Sequence, residues 1–597
     1  MSDGTLDKRK GTKCPGRTLN KTEMTEKIKL NEYSGRLGEL INHTAHRDDR
    51  ARVYLTPRKV LWETDSAEAK VIGSSRLLED RQPQISLDAS EPCILRNRGG
   101  CASVLLDFGC EIHGGIVIYA WKDTSGKGAR VRVRFGESAL EAMSEIGENN
   151  ATNDHALRDM TVPIGSMSMT PIGETGFRFV RIDLLEPYQE LELKTIKGVL
   201  IFKALKYKGS FHCSDDLLNR IWDTGAYTVH LNIQNYIWDG IKRDRLVWAG
   251  DLHPEIMAIK TVFGREETVE KSLDFVRDEA PLPGWMNDFP AYSMWWAVIQ
   301  YDWYMYTGDM EYLKEQYVYL KGLEQQMSEA ISEEGKDITP ETRFLDWPSK
   351  QDSVVVDAGL QALHILAASR MEYLFEQLGD QKTAEKCRRD IEKLKSYATD
   401  CKQTKQAVAM QVLAGLQDAV SANQELLSRN GAEGMSTFMG YYILTARAMA
   451  GDYQGCLECI REYWGGMLSI GATTFWEDFD IRWLHNALPL DAWKKEEGKI
   501  DVHGTYGGYC YTGYRHSLCH GWSAGVVSWI SEQILGIQIL EPGCRKIEIT
   551  PHLGDLDFAE GAYPTPYGEI YVSARKLPDG SVENRIMAPQ EIEIVKI

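Results

Sequence analysis

The feature that most constrains the fold is a double change of texture along the chain. From about 67 to 204 the sequence runs in short β-branched or alternating stretches, ASVLLDFG, GGIVIYAW, ARVRVRFG, FRFVRIDLL and KGVLIFKAL, broken by Gly, Asp and Ser. Such runs at short spacing, with no helical segment between them, predict an antiparallel β-sandwich. At Phe211 the period changes. Leu360, Leu363, Ala367, Met371, Leu374 and Leu378 follow the stripe of an amphipathic helix, and helical patterning holds to about Leu535. From Ile537 the β texture returns in RKIEITPHL, GEIYVSARK and IEIVKI. The chain therefore reads as a polar lead-in over 1–65, an N-terminal β-sandwich over 66–207, a helical domain over 208–536 and a C-terminal β-sandwich over 537–597. A length of 597 residues suits three or four such units.

The helical part carries its own punctuation. Ser214 is placed to cap the first helix, with Asp215 and Asp216 suited to its positive N-terminus. Gly-Asp pairs at Gly308-Asp309, Gly379-Asp380 and Gly451-Asp452 stand 71 and 72 residues apart. A Gly that ends one helix followed by an Asp that begins the next is the chemistry of a tight helix–helix corner. Three corners at nearly equal spacing suggest an array of helical hairpins.

Composition narrows the class of partner. A net charge of −19 argues against a phosphate-backbone ligand, so no nucleic-acid partner is expected. No apolar run approaches about 18 residues, and the N-terminal MSDGTLDKRKGTKCPGR has no apolar core of a leader, so the expectation is a cytoplasmic protein with no membrane span. The twelve cysteines form no dense framework, and Cys456/Cys459 read as buried thiols rather than zinc ligands. No metal and no cofactor are expected. A small carbohydrate is the expected partner, and a homo-oligomer is compatible with everything above.

Chemistry concentrates between Trp238 and Glu255, in WDGIKRDRLVWAGDLHPE. Clustered carboxylates repel one another and burial disfavours their charge, so Asp239, Asp244 and Asp251 are candidates for a carboxyl that stays protonated near neutral pH. Trp faces suit the apolar side of a sugar ring, while Arg and Asp bond its hydroxyls. The plain alternative is a surface helix studded with ion pairs. A second acidic aromatic group, GATTFWEDFD, brings Trp476 and Glu477 after a glycine-rich break, which places Glu477 at a helix mouth. Glycoside hydrolysis needs one protonated carboxyl at the leaving oxygen and a second carboxylate across the ring.

These motifs resemble those of the α-L-rhamnosidase family, glycoside hydrolase family 78. The family segment D-x-x-x-R-E-R-x-G-W-x-G-D is similar to Asp239-GIK-Arg243-Asp244-Arg245-LV-Trp248-A-Gly250-Asp251, and its GATT-x-WE matches Gly471 to Glu477. Its S-L-N-H, followed by a Gly and then a Trp, resembles Ser517, Leu518, Cys519, His520, Gly525 and Trp529. The resemblance covers roughly 67–597 and implies an (α/α)6 barrel of six hairpins flanked by antiparallel β-sandwiches. It implies an inverting exo-hydrolase that releases terminal α-L-rhamnose or a related sugar from short glycosides. Asp244 falls on the general acid and Glu477 on the general base. Asp239, Arg243, Trp248, Asp251, Trp476 and His520 fall on the pocket that holds the sugar.

Several positions depart from the pattern. Asp244 replaces a Glu, which shortens its reach by about 1.5 Å, one carbon–carbon bond. Val247 stands for a Gly and Cys519 for an Asn. Asp251 and Glu255 are therefore alternative acids. An insert with Asp501, His503, Tyr506 and Tyr511 is placed to form a lid. Trp285 and Asp288, in PGWMNDFPAYSMWW, and Asp346 and Trp347, in RFLDWPSK, are expected to shape the sugar site. Two other functions stay open. A lyase or sugar epimerase on the same barrel would lean on His503, His520 or Tyr506, and a non-catalytic sugar-binding protein would explain the shortened acid.

Overall fold

The computed structural model describes residues 35–41, 48–87, 90–340, 342–509 and 511–595. Two units are distinguished, Met1–Asp49 and Arg50–Ile597. The described part of the first contains one short helix, α1 (Gly35–Ile41). The rest of the expected lead-in up to residue 47 lies outside the described residues.

The second unit opens directly in a sheet. Strands β1 (Ala51–Leu55) and β2 (Lys59–Glu63) precede β3 (Ala69–Ile72), β4 (Cys93–Asn97), β5 (Ala102–Asp123), β6 (Ala129–Gly136), the short helix α2 (Ala139–Met143), β7 (Asp159–Ile164), β8 (Ser168–Leu184) and β9 (Gln189–Phe202). The lead-in expectation is thus corrected: β1 pairs with β9 and β2 with β5, so the sandwich begins at Ala51 rather than at 66. Both strands are short edge elements with half-exposed side chains, and this weakens the alternating pattern that marks a strand in sequence.

Every pairing in this sheet is antiparallel. The long strand β5 breaks register against β8 between Asp107 and Ile112 and again between Gly114 and Ile116. Its first half pairs with β2, and its second half with β9. Bulges of this kind let one strand serve both layers of a sandwich. Leu95, Ile116, Ile118, Leu191, Leu193 and Ile196 meet Val104, Leu106, Val131, Val133, Val180 and Ile182 in one buried core.

After β10 (Ser210–Cys213) come the helices α3 (Asp216–Asn232), α4 (Leu252–Val262), α5 (Glu267–Glu279), α6 (Pro290–Thr307), α7 (Met310–Glu329), α8 (Ser353–Gln377), α9 (Gln381–Lys395), α10 (Lys405–Leu413), α11 (Ala419–Ala422, continued as a π turn to Leu427), α12 (Gly440–Met449), α13 (Tyr453–Ser469), the four-residue α14 (Val502–Thr505) and α15 (Gly525–Trp529, continued as a π turn to Ile534). Helices α4, α6, α8, α10, α12 and α15 contact one another in a closed cycle and form the inner ring of an (α/α)6 barrel. Their burial fits that position: all of α4 is buried, as are 15 of the 18 residues of α6. Helix α8 is long and apolar enough to cross a membrane by length and composition, and as an inner-ring helix it spends that apolar surface on the barrel core.

Each inner helix ends at a glycine with positive φ: Gly264, Gly308, Gly379, Gly415, Gly451 and Gly536. A left-handed residue is needed to stop the helix and turn the chain outward within a few residues. Asp309, Asp380, Asp418 and Asp452 then cap the following outer helices through their side chains. The near-equal spacing read from the sequence is not a repeat length. The interval from Gly308 to Gly379 spans one hairpin with a long loop, whereas that from Gly379 to Gly451 spans two. The first helix is capped by Asp215, which accepts from the amides of Leu217 and Leu218, while Ser214 accepts from the Asp557 amide. The capping assignment moves by one residue because the shorter serine is used by a neighbouring domain.

The short corners all lie at one end of the barrel, so the long loops before α4, α6, α8, α12 and α15 gather at the other, around the N-termini of the inner helices. At the corner end sits the C-terminal domain: Tyr306 donates to the Pro564 carbonyl. That domain has a four-stranded antiparallel sheet of β10, β15 (Phe558–Thr565), β16 (Gly568–Lys576) and β17 (Val582–Met587). It faces three strands, β13 (Ile537–Glu541), β14 (Lys546–Ile549) and β18 (Glu593–Val595), of which β14 and β18 run parallel. Strand β10, expected in the helical domain, therefore belongs to the C-terminal sheet. The N-terminal sandwich closes on the long-loop end, where Arg178 donates to the Gly471 carbonyl and Tyr227 to the Glu111 carbonyl.

Candidate active site

Backbone bonds knit three loops together at the long-loop end. The Gly521 amide donates to the Asp239 carbonyl, the His520 amide to the Phe475 carbonyl and the Glu477 amide to the Ser517 carbonyl. The two threonines of GATT act as staples: Thr474 donates to the Leu518 carbonyl, and the Thr473 hydroxyl accepts from the Glu111 amide of the N-terminal sandwich. Asp239 shapes its own loop, since its two oxygens accept from the amides of Leu246 at 3.0 Å and Asp244 at 2.8 Å.

The loops enclose a cavity of about 250 Å3 lined by Asp239, Arg243, Asp244, Trp248, Asp251, Trp347, Glu477 and His520, eight of the twelve residues expected from the sequence. Asp244 Oδ1 accepts from Arg243 Nε at 3.0 Å and Nη2 at 2.8 Å. Asp251 accepts from the Tyr292 hydroxyl at 3.2 Å, and its other oxygen lies 3.2 Å from His520 Nε2. Glu477 Oε2 accepts from the Ser517 amide at 3.1 Å.

Burial sets the protonation states. It pushes Asp251 up to about 8, with the Tyr292 hydroxyl opposing and the charge of Asp244 adding to the rise. It pushes Asp239 up to about 7, against the pull of His520. Glu477 is raised by burial as well, but the Arg243 charge, His520 and the Ser517 amide favour its ionised form. Beneath them Glu255 is fully buried with neither oxygen hydrogen-bonded, and burial holds it well above the carboxylate range. The cavity thus holds one carboxyl, Asp251, that favours its proton at neutral pH, beside Glu477, which has a guanidinium and an amide donor near its oxygens.

The other four expected residues do not line this cavity. Trp476 is 1% exposed and packs edge-on against Phe479 and His516, with its indole N–H unpaired, so it is core and not a sugar platform. Trp285 and Asp288 line a separate cavity with Phe275 and Glu279. Between them Asn287 bonds the Ala249 amide and the Val247 carbonyl, so this segment serves the site by bracing Trp248. Asp346 is buried behind Trp347, where it accepts from the Ser349 amide and the Ser436 hydroxyl and lines a small cavity that shares Trp347, Glu477, Tyr511 and Trp522 with the main one. An aromatic beside a carboxylate gives the same sequence signature whether it faces a cavity or the core.

Six residues complete the lining without having been expected there: His155, Phe289, Tyr292, Arg515, Trp522 and Tyr511, the last named only as part of the insert. Phe289 and Tyr292, three apart at the start of α6, share the face turned to the cavity, whereas Trp295 and Trp296 are both core. The insert does bend over the site. Its strands β11 (Gly507–Gly508) and β12 (Tyr511–Thr512) pair, Tyr511 faces the cavity and Tyr509 stacks on Trp347. Asp501, His503 and Tyr506 support that hairpin from behind, His503 through Ser138 and Tyr506 on Trp483. His155 comes from the N-terminal sandwich and lies 3.3 Å from Asp244, and burial lowers its basicity. It lies in a loop with no motif, and only its folded position reveals it.

The family described as bacterial alpha-L-rhamnosidase six-hairpin glycosidase domain matches residues 206–534. An alpha-L-rhamnosidase of Alteromonas sp. (strain LOR) is 25% identical over 576 residues, which cover 87% of this chain and 58% of that relative. The chain therefore spans little more than half the length of this curated relative. A family 78 rhamnosidase of Bacillus sp. GL1 superposes with a TM-score of 0.72 at 22% identity, covering 88% of this chain and 55% of that one. A rhamnosidase from Klebsiella oxytoca with rhamnose bound gives a TM-score of 0.63 at 18% identity over 81% of this chain and 96% of its own. These structural likenesses establish the shared fold.

Proposed function

Since the chain belongs to the bacterial α-L-rhamnosidase six-hairpin glycosidase family, we propose that it hydrolyses terminal α-L-rhamnosides of short glycosides, with inversion. One observation carries the reading: Asp244 and Glu477, from loops more than two hundred residues apart in sequence, line one cavity. In this mechanism Asp244 protonates the glycosidic oxygen, and Glu477 takes a proton from a water that attacks the opposite face of the ring. The two carboxyls then stand about 6.5–9.5 Å apart to leave room for that water. The cavity volume suits one sugar ring. Trp347, Tyr511 and Trp522 wall part of it, and a pocket of this size favours cleavage at a chain end. Phe289, Tyr292 and Trp248 offer apolar faces to the methyl group and C–H face of a 6-deoxy sugar.

A second assignment of the acid has its own support. Asp251 lines the same cavity and holds its proton at neutral pH. Assay with p-nitrophenyl α-L-rhamnoside separates the two. With Asp244 as acid, Asp244→Asn and Glu477→Gln each lose about 1,000-fold or more in kcat, and an activated phenolate leaving group softens only the Asp244→Asn loss. Softening confined to Asp251→Asn would transfer the acid role to Asp251. Undiminished activity in both Asp244→Asn and Glu477→Gln would refute the two-carboxylate mechanism.

A further inference from the structure

Glu137 lies outside the barrel, in the N-terminal sandwich, one residue after β6. It is fully buried, and its position is fixed by a short capped turn. Ser138 caps α2 through the Glu141 amide, and the Glu141 carboxylate accepts from the Glu137 amide at 2.8 Å. From this anchor the Glu137 side chain reaches both halves of the site. Its Oε2 accepts from the Leu518 amide at 2.7 Å and pairs with Lys242 Nζ at 2.8 Å. Its Oε1 accepts from the Ser517 hydroxyl at 3.4 Å.

Each of these partners is next to chemistry. Lys242 directly precedes Arg243 and Asp244. Ser517 grips Glu477 twice, by donating its amide to Oε2 and by accepting the Glu477 amide at its carbonyl. Lys242 also donates to the carbonyls of Tyr514 at 2.9 Å and His516 at 2.6 Å, so the loop bearing the acid and the loop gripping the base meet at one ammonium. Glu137, Glu141 and His503 gather ligand atoms as a metal site would, but the ammonium of Lys242 already supplies the positive charge between the two carboxylates.

We propose that Glu137 is a positioning residue by which the N-terminal sandwich sets the gap between Asp244 and Glu477. The inference rests on the hydrolase reading above. It makes the sandwich part of the catalytic unit rather than an appended module. Glutamine at this position keeps the shape but removes the negative charge opposite the Lys242 ammonium, which weakens the tie that holds the two loops together. A displacement near 1 Å between reacting groups costs about 100-fold in rate.

The test is steady-state kinetics of the full chain on p-nitrophenyl α-L-rhamnoside, with L-rhamnose affinity measured by calorimetry. Glu137→Gln is expected to lower kcat about 30- to 100-fold while KM and the L-rhamnose Kd stay within about threefold. The acidic limb of its pH–rate profile should shift, because the Ser517 bond to Glu477 changes. Lys242→Met provides the second variant should the first not fold, with the same split between kcat and KM expected. The double variant should be no worse than Glu137→Gln, and Glu137→Asp, which keeps the charge, should recover part of the rate. A kcat within twofold of wild type in folded Glu137→Gln or Lys242→Met, or a loss seen only in KM, would overturn the proposal. A wild-type protein inactive on every aryl glycoside overturns the hydrolase reading and removes this role with it, a result distinct from an active wild type with an equally active Glu137→Gln.

Discussion

Replacing Asp251 with asparagine should stabilise the protein at alkaline pH while damaging the site. Asp251 is 3% exposed, and burial lifts it from an ordinary 3.8 to about 8. A carboxyl with a raised folded-state value binds its proton more tightly folded than unfolded. Its stabilising contribution is therefore complete below about pH 4 and is lost as the pH climbs towards 8. At pH 7 a shift of this size lowers stability, relative to acid pH, by about 4 kcal/mol. Asparagine has nearly the same shape, still accepts from the Tyr292 hydroxyl and does not titrate. Urea unfolding followed by tryptophan fluorescence at pH 5 and pH 8 provides the assay. Wild type should lose midpoint between the two, and Asp251→Asn should lose distinctly less, so that the variant is the more stable protein at pH 8. Parallel curves would show that Asp251 is not held neutral in the folded state, and the argument from burial would fail with them.

Two further perturbations follow from the same loops. A Cβ on Gly521 would come within 1.8 Å of Glu255 Oε1 and 2.6 Å of its Cδ, so this fully buried carboxyl would have to shift within a packed interior. Gly521→Ala should therefore cost about 1–3 kcal/mol in thermal or urea unfolding, and wild-type stability would contradict the close approach. Asp239 accepts two amides of its own loop, and asparagine offers only one carbonyl oxygen for them. Asp239→Asn should cost about 1–3 kcal/mol and lower kcat by displacing Asp244, as read by melting and steady-state kinetics. Unchanged kcat would show that Asp239 does not hold that loop.

Much of the architecture was legible because it is written in local chemistry. The Gly-Asp corners mark real ends of inner helices, since stopping a helix needs a left-handed residue and starting one needs a side-chain acceptor. The other inner-helix ends were missed where the Asp is displaced, as at Gly415 and Asp418, or absent, as at Gly264. Asp239, Arg243, Trp248 and Asp251 were legible as a group because one loop carries all four to the cavity. What escaped depends on contacts between distant segments. His155 reaches the cavity from another domain, Trp476 turns inward although Glu477 beside it turns to the cavity, and Trp285 yields its place to Phe289 and Tyr292. Alternation along one segment cannot tell which face the rest of the molecule will cover.

The central claim, that Asp244 and Glu477 act from opposite sides of a bound terminal α-L-rhamnoside, is tested most directly by the stereochemistry of the first product. Proton NMR of the anomeric region during the first minutes of hydrolysis should show β-L-rhamnose appearing first, with the α-anomer growing only as the free sugar mutarotates. Initial release of the α-anomer would mean a double displacement through a covalent intermediate, and would contradict the roles given to both carboxylates.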